Sequence, residues 1–343
     1  MLTIFNCGQG DASIFNNHSL ERLLVIDLGP SEFNYPPSVH GDIDLLITHS
    51  HIDHIGGKFS GSIKVNMLYI PAYLPEIIKI YQKLLKKKLS PPFEFRNVKI
   101  LHEGVTLNHR CRCFNTEILN PPLNPEQIFK NVKKLDISND DISNFLKKYN
   151  TTIEDILEEK TYLDEIDYTR DMPNEYSAET FVRLSVGIIA HMMLGKRVKI
   201  EKVFARFLKY DANKISIVSL HSYRYIRYIQ SILMTGDADR SVFNRLIKKG
   251  HSIKADILKV PHHGSKKSIG YRILKKIAPQ IAIISHDNGL FGKAKDPHPN
   301  IEVINALKKL TIKTYYTNDV IKAGKVIAFA YRGIIFSRIV KII

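Results

Sequence analysis

The stretch Thr48-His49-Ser50-His51-Ile52-Asp53-His54 follows directly on the apolar run Leu45-Leu46-Ile47 and leads into Gly56-Gly57. It places three imidazoles and a carboxylate within six residues. Imidazole nitrogen with carboxylate oxygen suits zinc, and also manganese or iron where geometry permits. A merely solvated histidine cluster would need neither the apolar strand that leads in nor the glycine turn that leads out. If the strand ends at Thr48, the alternate residues His49 and His51 converge on one ion at its carboxyl end. The following turn then carries Asp53 and His54 to a second position. Two ions about 3.5–4 Å apart can clamp the attacking and departing oxygens of a hydrolytic displacement. The stretch points to a dinuclear metallohydrolase, with Asp53 also placed to steer the nucleophilic water.

Outward from this loop, several apolar runs end in chemistry-bearing residues. Met1 to Phe5 reads as a first strand, and the glycines of Gly8-Gln9-Gly10-Asp11 permit a tight turn in which Asp11 orients a ligand or caps the chain. Leu23 to Leu28 reads as a buried strand whose Asp27 is placed to hold a metal-ligating histidine by its other ring nitrogen. Ser231 to Met234 leads to Asp237, Asp256 to Val260 to His262-His263-Gly264-Ser265, and Ile281 to Ile284 to His286. Asn288 to His298 reads as a polar loop. Since imidazole binds an anionic oxygen or donates a proton, His286 and His298 are candidates for substrate contact, against plain loop hydrogen bonding.

The composition bounds the partners. With 343 residues, 44% of them hydrophobic, the chain can bury a full core, and no apolar run reaches the length of a membrane span. Three cysteines, Cys7, Cys111 and Cys113, are too few for a disulfide framework. With no visible secretory leader, the expected home is a reducing cytoplasm without membrane attachment. The net charge of +16 is uneven: Glu126 to Glu179 holds 14 acidic residues against 7 Lys and Arg, which leaves +23 on the rest of the chain. A basic body with an acidic segment favours a polyanion such as nucleic acid, bound away from that segment.

The middle of the chain reads as helical. Glu76 to Lys88 carries Ile77, Ile80, Tyr81, Leu84 and Leu85 on one side. Beyond Pro121-Pro122 and Pro125, Ile142, Phe145, Leu146 and Tyr149 fall at helical spacing, and Thr152 with Asp155 marks a further helix start. Two short helices so joined invite a DNA-reading interpretation, but their negative charge opposes an approach to phosphates. A cap over the site, or a surface for homo-oligomer formation, suits them better. Ser177 to Phe207 reads as one continuing helix, and Asn213 to Leu220 as a return to strand. His221 to Tyr228 interleaves aromatic and basic residues, as a hairpin or as a nucleic-acid platform.

Taken together, Gly8-Gln9-Gly10-Asp11-Ala12, Ile26-Asp27-Leu28-Gly29, His49-x-His51-x-Asp53-His54, Asn213-x-x-Ser216, Thr235-Gly236-Asp237, Pro261-His262-His263-Gly264-Ser265 and Asn288 with Pro297-His298-Pro299 resemble the metallo-β-lactamase superfamily. More narrowly they are similar to the carboxyl-terminal hydrolase domain of the ComEC/Rec2 competence proteins. The resemblance implies an α+β fold, an αββα sandwich over residues 1–343 with a helical, acidic insertion at 122–205. It implies two divalent ions, zinc or manganese, with Asp237 bridging them and one of His262 and His263 as a ligand; His263, directly before the glycine, fits the commoner pattern. Asn213, Ser216, Ser265, His286 and Asn288 become candidates for substrate binding. Many superfamily members have a further histidine where this chain has Asn213-x-x-Ser216, so the first metal site is expected to be incomplete, with His221 a conceivable replacement. The expected activity is that of a metal-dependent phosphodiesterase or nuclease on DNA or RNA. A hydrolase of a small ester or cyclic nucleotide, and a non-catalytic effector subunit that keeps the fold, are the alternatives.

Overall fold

The computed structural model describes residues 2–16, 20–90, 93–109, 114–129, 137–164, 172–173, 176–194, 198–225, 228–286, 298–319 and 326–329. Asn288 and the Cys111 and Cys113 thiols lie outside them. The chain opens with strands β1 (Leu2–Phe5), β2 (Ala12–Phe15), β3 (Leu23–Leu28), the short β4 (Asn34–Tyr35) and β5 (Gly41–Leu46). Helix α1 (Ile52–Ile55), the short β6 (Lys58–Phe59), β7 (Ile63–Pro71), α2 (Leu74–Leu85), β8 (Phe95–Leu101), β9 (Thr106–Asn108) and β10 (Phe114–Asn120) follow. Four helices come next: α3 (Asn139–Lys147), α4 (Ile153–Glu158), α5 (Ala178–Met193) and α6 (Ile200–Ile215). The last third alternates β11 (Val218–Tyr225), β12 (Tyr228–Met234), α7 (Arg240–Lys249), β13 (Ile257–Lys259), α8 (Tyr271–Ile277), β14 (Ile281–Ile284), α9 (Ile301–Lys309), β15 (Lys313–Tyr316) and β16 (Val326–Phe329).

Among the described residues fourteen of these strands form two seven-stranded sheets, in the orders β16-β1-β2-β3-β5-β7-β8 and β15-β14-β13-β12-β11-β10-β9, and β4 pairs with β6. Alternation along each strand sorts the side chains. Leu24, Ile26 and Leu46 of the first sheet meet Ile118, Ile232, Ile257 and Ile283 of the second in one inter-sheet core. Val25, Ile43 and Leu45 point the other way, toward Leu74 and Ile78 of α2. On the far side of the second sheet, Leu233, Leu258 and Ala282 lie under Phe243, Leu246, Ile273, Leu274, Val303 and Leu307 of α7, α8 and α9. The result is an α+β sandwich whose inner strands, such as β3 and β14, are buried on both faces and read as near-continuous apolar runs, whereas the edge strands β8 and β15 are partly exposed.

The α2 helix serves two layers. While Leu74 and Ile78 cover the first sheet, Ile77, Ile80 and Leu84 join Phe145, Ile156, Phe181, Val186, Phe204 and Phe207 in a separate helical core. Ser138 and Thr152 start α3 and α4 with reciprocal capping boxes to Asp141 and Asp155. The single helix expected over Ser177 to Phe207 is instead two. Leu194 leaves helical geometry with ψ 125°, and the sequence places the permissive Gly195 directly after it. The second helix runs on to Ile215, because Phe204, Phe207, Ala212 and Ile215 are buried at helical spacing. Asn213 therefore stands on the last turn of α6, not in a strand. No helix among the described residues is long and apolar enough to cross a membrane.

A buried polar chain ties the second sheet to its helices. Arg245 of α7 pairs with Glu103 and donates to Asn120 Oδ1 at 2.9 Å; Asn120 in turn donates to the Ser216 carbonyl at 2.7 Å. Lys249 and His251 complete the surround of Glu103. Burial opposes ionisation of Glu103, but Lys249 and Arg245 outweigh it and hold its carboxyl below the usual range. Its stabilisation is therefore full above the unfolded glutamate pKa, about 4.3, and is lost as pH falls through the lower folded value. Glu103→Gln strands the Arg245 charge and is expected to cost about 3–5 kcal/mol, read by urea unfolding. The variant is also expected to lose the part of the acid-side slope that titration of Glu103 contributes.

Candidate metal centre

Parallel pairing places the site. Strands β3, β5 and β7 run parallel in one sheet, and β12 to β15 in the other. Asp27 and the Thr48–His54 loop follow the carboxyl ends of the first set, and Asp237, His262-His263 and His286 those of the second. The crevice outside strand carboxyl ends is where such sheets present loops to a ligand. A backbone bond joins the two halves there, the Ile217 amide donating to the Thr48 carbonyl at 2.9 Å, while within the first half the Asp11 amide donates to the Asp53 carbonyl at 3.2 Å.

Asp27 anchors the histidine loop. Its backbone is left-handed, φ 57°, and its carbonyl accepts the Tyr35 hydroxyl at 2.6 Å. The carboxylate then accepts three bonds: from the Thr48 amide and the Thr48 hydroxyl at 2.7 Å each, and from His54 Nδ1 at 2.8 Å. Gly57 closes the turn behind α1, packed so tightly on the Leu28 carbonyl that a Cβ would stand 1.8 Å from it.

These bonds assign the ring nitrogens. His54 gives its Nδ1 proton to Asp27, and His49 Nδ1 lies 3.1 Å from the Thr48 hydroxyl, whose own proton is committed to Asp27. His263 Nδ1 lies 3.0 Å from the Ser285 carbonyl. In each ring the lone pair is left on Nε2, and all three face Asp237: His54 Nε2 at 3.3 Å, His49 Nε2 at 3.8 Å and His263 Nε2 at 3.9 Å. His263 Nε2 also lies 3.3 Å from Asp53 Oδ2. His49 Nε2, His54 Nε2 and Asp237 Oδ1 are buried without a hydrogen-bond partner. Lone pairs of imidazole and carboxylate converging out of water are able to hold a cation between them.

Of three such groups among the described residues, one, Asp11, Asp27 and His54, is already taken up by the bonds of Thr48 and His54 to Asp27, and two contain Asp237. Asp53, His54, Asp237 and His263 form one group and His49, His51 and Asp237 another, the ligand atoms of each lying within 4.8 Å of one another. Asp237 belongs to both, and the Ser216 hydroxyl, buried, receives its amide at 3.1 Å. Burial disfavours the Asp237 carboxylate, yet His262, His54 and His263 hold its carboxyl well below the usual range. The same balance, with His54 and His263 outweighing burial, holds Asp53 below it.

The other expected residues surround these groups unevenly. His262 Nε2 is 3.8 Å from Asp237 Oδ2, on the side of the histidine pair, and its Nδ1 is 3.1 Å from Asn213 Nδ2. The His298 ring stands 5.4 Å from the His262 ring. Ser265 is buried with its hydroxyl on the Lys267 amide, and His286 turns to Asn318 and the Thr317 hydroxyl. His221 is remote from both groups: it lies between the sheets, stacked on Phe15 and bonded to Thr116 and Ser219. It does not replace the missing histidine, because burial between aromatic rings and two hydroxyl partners already consume both its nitrogens. Thr48 and Lys259, neither singled out by sequence, prove central. The available signal for Lys259 was a cation in an apolar strand directly before the histidine pair.

No protein-family model matches the chain. The chain is similar to ComE operon protein 3 of Bacillus subtilis (strain 168), 33% identical over 89 residues, which is 26% of this chain and 11% of that protein. It is also similar to Recombination protein 2 of Haemophilus influenzae (strain ATCC 51907 / DSM 11121 / KW20 / Rd), 38% identical over 74 residues, 21% of this chain and 8% of that protein. The matched segments span about a tenth of the length of these curated relatives.

Asp27→Asn keeps an acceptor for the Thr48 amide but cannot accept from both the Thr48 hydroxyl and His54. Metal affinity, measured by titrating zinc or manganese into metal-free protein, is expected to fall about 10–100-fold.

Proposed function

We propose that the chain is a metal-dependent phosphodiesterase of the metallo-β-lactamase type that cleaves nucleic acid. The observation that carries this reading is the pair of His/Asp groups sharing Asp237, with unpartnered buried lone pairs aimed at one another. The basic body, the resemblance to competence-protein hydrolase domains and the similarity to a recombination protein support nucleic acid as the substrate.

In this reading Asp53, His54, His263 and Asp237 hold one divalent ion, and His49, His51 and Asp237 the other. Two such ions, when bound, supply Lewis acidity at a phosphoryl oxygen and lower the pKa of water. The protein decides from where substrate arrives. His49, His54, Asp237 and His263 are sealed in, with side chains at most 2% exposed, while Asp53 and His262 are 22% and 23% exposed. The scissile group therefore enters past Asp53 and His262. Asp53 Oδ2, an acceptor at that rim, orients the attacking water, and His298 beside His262 is placed to give a proton to the leaving oxygen.

A second reading, hydrolysis of a small ester or cyclic nucleotide, draws on a cavity of about 340 Å³ that borders Ser50 in the histidine loop and is lined by Ile55, Leu68, Tyr81, Phe204 and Leu208. A polyanion would not use so apolar a space, whereas a compact ester would.

The test is cleavage of end-labelled single- and double-stranded DNA and RNA with added manganese or zinc, beside a chromogenic phosphodiester. Nucleic acid is expected to be cut, with activity abolished by chelator and lowered at least about 100-fold by Asp237→Asn and by Asp53→Asn. Turnover of the small ester alone transfers the assignment to the second reading. Inertness toward every substrate by metal-loaded protein overturns both.

A further inference from the structure

Asp11 and Lys259 lie just behind the metal groups, and neither has a role in the chemistry above. We propose that their ion pair is a clasp that fixes the spacing of Asp53 from His263, so that both are positioning residues for the second ligand group; the inference rests on reading that group as a metal site.

Lys259 ends β13 beside the core residues Ile257 and Leu258, and its side chain is 1% exposed. The ammonium donates to Asp11 Oδ2 at 2.7 Å and to the Val260 carbonyl at 3.2 Å. A cation so enclosed needs a counter-charge, and among the described residues Asp11 provides it. The two residues stand on different sheets, 248 positions apart in sequence.

Each end of the pair is tied to a metal-group residue. On the first sheet, the Asp11 amide donates to the Asp53 carbonyl at 3.2 Å, and a Cβ on Gly10 would stand 2.4 Å from that same oxygen. Any shift of Asp11 is thus a shift of Asp53. On the second sheet, only Val260, Pro261 and His262 separate Lys259 from His263, and both histidines are held left-handed at φ 48° and 52°. Thr235 donates to the Lys259 carbonyl at 2.6 Å, which joins the clasp to the strand end that carries Asp237. Asp11 Oδ1 lies 3.9 Å from His263 Nδ1, whose hydrogen bond goes to Ser285, so the carboxylate does not itself orient that ring by a bond. The pair instead joins the loop of Asp53 to the loop of His263 by a path that needs no ion.

The test uses the full chain stripped of metal, titrated calorimetrically with zinc, with amide hydrogen exchange at Asp11 followed in parallel without metal. In Lys259→Met, one zinc equivalent is expected to bind as in wild type and the other about 10–100-fold more weakly, with Asp11 amide protection lost. In Asp11→Asn, which keeps the shape, both effects are expected to be smaller. The double variant Asp11→Asn with Lys259→Gln, which restores a neutral hydrogen-bonded pair, is expected to recover protection and part of the affinity. Unchanged binding of both equivalents in a less stable variant overturns the proposal and leaves a core staple. Should Lys259→Met fail to fold, Asp11→Asn decides by the same readouts. Should wild type bind no zinc, the metal reading fails, while exchange at Asp11 still decides the clasp: retained protection in the variants overturns it.

Discussion

The buried carboxylate of Asp27 is the constraint on which the site depends. It lies at the end of a strand that is apolar on both faces, and burial pushes its carboxyl up despite the opposing pull of His54 and the Thr48 amide. Three donors converge on it from one loop, and without them it would be an unpaired charge in the sandwich. The same bonds fix the His54 and His49 rings with Nε2 inward. The requirement to satisfy one acid thus aims two imidazoles.

The two sheets then have to be brought into register, since neither holds all of either group that contains Asp237. Asp53 and His54 come from the first sheet, Asp237 and His263 from the second. The inter-sheet core is apolar and non-directional, so it holds the sheets together without specifying the ångström-scale placement that coordination demands. Directional contacts between the sheets supply that precision, among them the Ile217 amide on the Thr48 carbonyl and Lys259 on Asp11.

Much of this was legible in the sequence for one reason: a carboxylate or imidazole that ends an apolar run has few places to go. Asp27, His49, Asp237 and His263 all end such runs, and the structure brings them together. What could not be read depended on partners distant in sequence. Lys259 looked like an ordinary strand lysine until Asp11 came beside it. The aromatic pairing that holds His221 between the sheets is equally non-local, and so is the packing that carries α6 through Asn213. The hairpin of β11 and β12 showed its alternation, whereas the break after Leu194 is a local backbone event inside a continuous apolar pattern.

Charge within the site is shared between acids and imidazoles. Asp27, Asp53 and Asp237 converge on His54, and carboxylates left unpaired in a dry interior would be strongly unfavourable. Burial disfavours a charged His54 and a charged His263, but the surrounding carboxylates, Asp237 first among them, raise both above the ordinary imidazole range. His49, where burial and its histidine neighbours dominate, is held well below that range. In the metal reading, a divalent ion would compete with protons for those ring nitrogens, which couples metal capture to proton release. The two residue types divide the work: aspartate supplies negative charge, and imidazole supplies donor atoms without adding more of it.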